Sequence, residues 1–114
     1  MNKRTLLDRE FYFGIGFLNE LIDGTGKGLE VIGEEVMSNP AQMVPQMMYH
    51  SLSYAYKRSQ KELDFTIDTI YDLIDDNGGM HNGFFNDFLK AFQDAMYKDV
   101  PVDNANKKVA TTKK

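Results

Sequence analysis

Gly24-Thr25-Gly26-Lys27-Gly28 is the stretch of this chain that comes nearest to a chemical motif. A phosphate-binding loop has GxxxxGK followed by Ser or Thr, between a strand and a helix, with the hydroxyl on magnesium. Here Gly28 stands where the hydroxyl is required, and the residues before the cluster read as helix. The cluster therefore reads as an inter-helix loop. Gly14-Ile15-Gly16 is half of a dinucleotide fingerprint, but Asn19 replaces the third glycine and no βαβ pattern follows. His50 and His81 are the only imidazoles, and zinc takes three or four ligands. No carboxylate stands at helical metal-motif spacing from either one. The chain has no cysteine, no serine in a nucleophile elbow, and no tight acid pair in an apolar setting. The expectation is a protein that is not an enzyme and uses no cofactor and no metal.

Two patterns suit binding better than catalysis. Asp64, Asp68, Asp72 and Asp76 recur every four residues and so share one helix face, with Asp75 beside them. Like charges at that spacing cost a helix a few tenths of a kcal/mol each. Asp75 and Asp76 also fall at a helix C-terminus, where the dipole disfavours anions. The alternating acids and closing Glu of a calcium loop are missing. This is a solvated face or, on the sharper reading, a docking strip that steers a basic partner segment. Seven Met and eight Phe with no Trp form an adaptable apolar inventory. That inventory fills an irregular core, or lines a surface that accepts more than one packing partner. The candidate partner-binding residues are Met43, Met47, Met48 and Tyr49 for apolar contact, and Asp68, Asp72 and Asp76 for charge.

The elements that must position these residues follow from periodicity. At 114 residues the chain is expected to be a single helical domain over 1–100 with a flexible basic tail over 101–114. Phe11 to Leu21, FYFGIGFLNEL, places two glycines between aromatics and a helical pattern. Glycine there costs about 1 kcal/mol against alanine, so either backbone approaches something closely or an extended lead-in turns sharply into a helix. Residues 5–13 suit either a tight hairpin turning at Asp8-Arg9 or an irregular lead-in. Helices are predicted from 14 or 15 to 22, and over 29–37, 41–58, 66–76 and 82–98. The second presents Leu29, Ile32, Gly33 and Val36 on one face. Asn39 and Thr66 are the expected N-caps, with Pro40 at a first helical position. Pro45 either marks the true start of the third helix or bends its first turns. The fold class is mainly α, a compact bundle of four to five helices.

Net charge of −4 and a pI near 5.1 argue against a general nucleic-acid binder. No run approaches the roughly 20 apolar residues of a membrane span, and Leu6-Leu7 is too short for a secretory signal. A reducing cytoplasm is the expected compartment.

The order of features resembles the tail assembly chaperones of long-tailed phages that infect Gram-positive bacteria. The resemblance begins at Phe13-Gly14-Ile15-Gly16-Phe17-Leu18-Asn19-Glu20-Leu21 and passes through Gly28 to Glu30, Asn39-Pro40, and a helix bearing Tyr49, Leu52 and Tyr54-Ala55. It continues through Thr66 to Asp75 and ends in Phe84 to Ala95, covering about residues 5–114. MNKRTLLDREF is a poor match to the clearer N-terminal hairpin of that family. The resemblance implies a non-structural helper that binds the tape measure protein and keeps it soluble while the tail tube polymerises. It also implies contact with the major tail tube protein and with a frameshifted longer form of the chain itself, in the cytoplasm of the infected host. Lys107-Lys108 or Lys113-Lys114 are where such a frameshift would fall. A homo-oligomer is compatible with this reading. The rival expectation is a small helical adaptor or regulatory protein that binds a host or phage protein.

Overall fold

In the computed structural model, which describes residues 3–81 and 83–97, the chain opens with an antiparallel hairpin. Strand β1 (Lys3–Leu6) pairs with β2 (Arg9–Tyr12) in the register Lys3↔Tyr12 to Leu6↔Arg9. The turn is Leu7-Asp8, one residue earlier than the expected Asp8-Arg9. Both turn residues have positive φ, 51° and 60°, a geometry that ordinarily selects Asn-Gly. Local sequence does not favour this hairpin, and packing supplies what the turn lacks. β2 lies on helix α3 (Pro40–Arg58) and β1 on helix α5 (Phe84–Tyr97). Alternation along β2 turns Phe11 inward, where its ring meets Phe84 at 5.9 Å and Phe88 at 5.5 Å.

Helix α1 spans Ile15–Thr25, three residues beyond the expected end at Ile22. Thr25 Oγ1 donates to the Leu21 carbonyl at 2.8 Å, which keeps the last turn helical. Gly26, at φ 71°, then closes the helix with its N–H on the Ile22 carbonyl at 2.8 Å. The breaker cluster thus acts from Gly26, not from Asp23. Of the two readings of these glycines, close approach applies at Gly16, where a Cβ would overlap the Tyr54 hydroxyl and ring, while Gly14 is the N-cap where the chain turns into α1.

Helix α2 (Leu29–Ser38) matches its predicted span within a residue, and only Ile32 is fully buried on it. α3 begins at Pro40, so Pro45, which is buried inside the helix, is not its start. Asn39 does occupy the N-cap, but its side chain donates to Gln42 Oε1 at 2.9 Å and not to the backbone. Helix α4 (Ile67–Asp76) starts in a capping box, the Thr66 N–H donating to Thr69 Oγ1 at 3.1 Å. α5 buries Phe85 and Phe88, with Leu89 and Phe92 partly buried beside them; the predicted start at Asn82 lies outside the described residues, as do residues 98–114 with the predicted tail.

α3 is the central element, in contact with β2, α1, α2, α4 and α5. A helix surrounded on that many sides keeps little apolar surface open. Met43, Met47 and Met48, expected as an apolar surface, are therefore core residues at 1, 0 and 0% exposure. Together with Phe11, Phe13, Phe17, Leu52, Ile70 and Phe88 they form one continuous core. Among the described residues no helix is long and apolar enough to cross a membrane.

Candidate interaction groove

The feature that stands open is a groove of about 400 Å³ between α1, α2 and α5. α1 contributes Leu18 and Leu21, and α5 contributes Leu89 and Phe92. The α2 wall is built from Leu29, Ile32, Gly33 and Val36, the face that its periodicity assigns inward, with Met47 of α3 behind it. At the mouth, Leu29 is 50% and Met37 84% exposed. Gln93 is the polar side chain of the lining, and no ionisable group shares it. Such a surface cannot move protons; it can take apolar side chains out of water, at about 25 cal/mol per Å² buried.

Gly33 shapes the α2 wall. A glycine inside a helix costs about 1 kcal/mol against alanine. A Cβ placed there would meet nothing within 4 Å. The wall is therefore notched between Leu29 and Met37, one turn away on either side.

A second depression, about 440 Å³, lies between the hairpin turn and the end of α3. Asp8 and Glu10 balance Arg9 and Lys61 along its walls, so it offers no net charge to a ligand. Among the described residues no group of three His, Asp or Glu is placed to hold a metal ion.

The other polar feature ties α1 to α3. Glu20, on the side of α1 turned away from Leu18, accepts a hydrogen bond from Lys57 Nζ at 2.7 Å and lies 3.1 Å from His50 Nδ1. Burial pushes the Glu20 carboxyl upward, but the bonds from Lys57, His50 and Ser53 and the Lys57 charge outweigh it, and its pKa is lowered. A carboxyl lowered on folding contributes stability above its ordinary value of about 4.5, and the contribution is lost as pH falls through the lower folded value. Glu20→Gln is accordingly expected to cost about 1 kcal/mol at pH 7, discounted for the exposed Lys57, with the deficit shrinking at a pH well below the ordinary carboxylate range. Urea denaturation of both proteins at the two pH values measures this; a deficit equal at both would remove Glu20 from the acid response. Gly24 lets α1 sit on the His50 ring, where a Cβ would overlap the imidazole.

The structure does not bring the sequence-selected residues together. Tyr49 is half-buried, its ring against Phe65 at 5.4 Å and His50 at 5.2 Å. Asp68, Asp72 and Asp76 are all exposed on α4, with Asp64 and Asp75 exposed beside them, as expected of a solvated face. The groove residues on α2 and α5 were readable as helix faces, yet nothing in their spacing marks them as uncovered. His81 is exposed in the loop before α5. Comparison with family models, curated proteins and solved structures gives no match to this chain.

Proposed function

We propose that this protein is a tail assembly chaperone of the long-tailed phage type, a non-catalytic holder of the tape measure protein. The observation that carries the reading is the open apolar groove between α1, α2 and α5, with Leu29 and Met37 exposed at its mouth. A tape measure protein presents long helical segments with apolar faces before the tail tube encloses them. An apolar groove takes such a segment reversibly, reading apolar positions at helical spacing. Release is built into this mode, because a groove with no ionisable group in its lining and no covalent step holds mainly through burial. The exposed acids Asp68, Asp72 and Asp76 would steer basic stretches of the client, raising encounter rate more than affinity. The work would be done in the host cytoplasm, before the virion is complete and in company with the tail tube protein.

Co-expression tests the reading. The full chain is expected to raise the soluble yield of the neighbouring tape measure protein several-fold and to co-purify with it. An unchanged yield without co-purification would overturn it. Peptide mass spectrometry of infected cells should also find a longer product sharing residues 1 to about 105 (the range up to the first lysine pair), as translational frameshifting requires.

A further inference from the structure

Gly33 has none of the structural reasons that ordinarily keep a glycine inside a helix. It is absent from the glycines with positive φ, and no neighbour occupies the space that a side chain would fill. Glycine in this position weakens α2 relative to alanine. What its missing side chain does is leave a hole at the centre of the Leu29–Gly33–Met37 row, flanked by Ile32 and Val36. In helix packing a large side chain of one helix seats in a hole of this kind on another. The charges beside the groove add direction. Glu30 and Glu34 directly follow Leu29 and Gly33, are exposed, and make no ion pair among the described residues. On α5, exposed Asp94 follows Gln93, and exposed Lys90 follows Leu89. Among the described residues the balance at the rim is negative.

We infer that the groove takes one amphipathic α-helix of a partner protein, with a large apolar side chain seated at Gly33 and lysines or arginines flanking it toward Glu30 and Glu34. The inference rests on the groove being the client site and specifies which helices qualify. The apolar row supplies the affinity, and the acidic rim sets orientation and the choice between helices of equal hydrophobicity.

The chain contains no tryptophan, so a helical peptide with one Trp reports binding through its own emission. Peptides of about 15 residues carry a Leu stripe flanked by Lys, the same stripe flanked by Glu, or an Ala stripe flanked by Lys. The Lys-flanked Leu peptide is expected to bind roughly tenfold more tightly than the Glu-flanked one at low salt, with the ratio collapsing toward one near 1 M salt. The Ala-stripe peptide should not bind. Gly33→Leu should lose at least about thirtyfold in affinity while its thermal midpoint rises, since leucine fills the notch and favours helix. Gly33→Ala should fall between the two and keeps the test valid if leucine perturbs α2. If the filled variants fold and bind as the parent does, both the inference and the groove reading fail. If they lose binding but Lys and Glu flanks bind equally, the charge rule is overturned while the groove reading stands. If the parent sediments as a dimer that Gly33→Leu converts to a monomer, the occupant is a second copy of this chain and the partner helix is ruled out.

Discussion

Phe13→Ala is expected to lower the unfolding free energy by about 4 kcal/mol, within the range for deleting a buried phenylalanine ring. Phe13 is fully buried, and its ring meets Phe17 and Phe88 at 5.4 Å each and Phe92 at 5.8 Å. It stands between the end of β2 and the start of α1, so its contacts tie the hairpin, the first helix and the last helix together. Two costs combine when it is truncated. The ring's transfer free energy is lost, and the three rings around it, one on α1 and two on α5, cannot all close on the space. The hairpin has no reserve of its own, with Leu7 and Asp8 in an unfavourable turn geometry, so loosening its anchor is expected to fray β1 and β2 as well. For a domain of this size the melting temperature should drop by roughly 20 °C. Phe13→Leu, which leaves most of the volume, should cost about 1–2 kcal/mol. Urea denaturation followed by far-UV circular dichroism measures both; a loss below about 1 kcal/mol for alanine would show that the aromatic cluster does not depend on this ring.

The five helices were legible because each carries a 3.6-residue apolar period and most have local stop signals. Thr66 before α4 and Asn39-Pro40 before α3 are signals of the kind that act within a few residues, and both held. The end of α1 was not legible. Asp23-Gly24 looks like a break in sequence, whereas Gly24 is helical and lies against His50, a residue of another helix. The hairpin was legible only as one of two alternatives, with its turn placed one residue late, since Leu7-Asp8 lacks turn chemistry and the pairing depends on Phe11 reaching α5.

The candidate site was half legible, and the reason is physical. A stripe such as Met43, Met47 and Met48 has the same period whether it faces a core or a client. What decides is how many elements surround the helix, and α3 is covered where α2 is not. Leu29, Ile32, Gly33 and Val36 were read as one face, and it does face the bundle, but among the described residues only Ile32 is covered while Leu29 and Gly33 stay exposed. The Glu20, His50 and Lys57 cluster joins residues 30 and 37 positions apart, beyond any rule of local spacing.

Gly16→Val carries the second large effect, an expected loss of about 3 kcal/mol from overpacking. Two terms oppose each other at this position. Replacing a glycine in a helix gains up to about 1 kcal/mol of backbone propensity, less for a β-branched residue. Against that, the first carbon added would overlap the Tyr54 hydroxyl and ring. The overlap would be cheap if Tyr54 could swing away, but the ring is held. It stands edge-on to Tyr12 at 5.4 Å, and the Arg58 guanidinium lies over Tyr12 at 4.5 Å and near Tyr54 at 6.0 Å. Moving α1 instead would pull Phe17 and Leu21, both fully buried, out of register with the core. The clash should therefore win. A double-mutant cycle isolates it: Gly16→Ala is expected to destabilise the parent by about 1–2 kcal/mol, yet to be neutral or stabilising in the Tyr54→Ala background, with a coupling of roughly 2 kcal/mol. Equal costs of Gly16→Ala in both backgrounds would clear Tyr54 and place the constraint in the backbone where Gly14 turns the chain into α1.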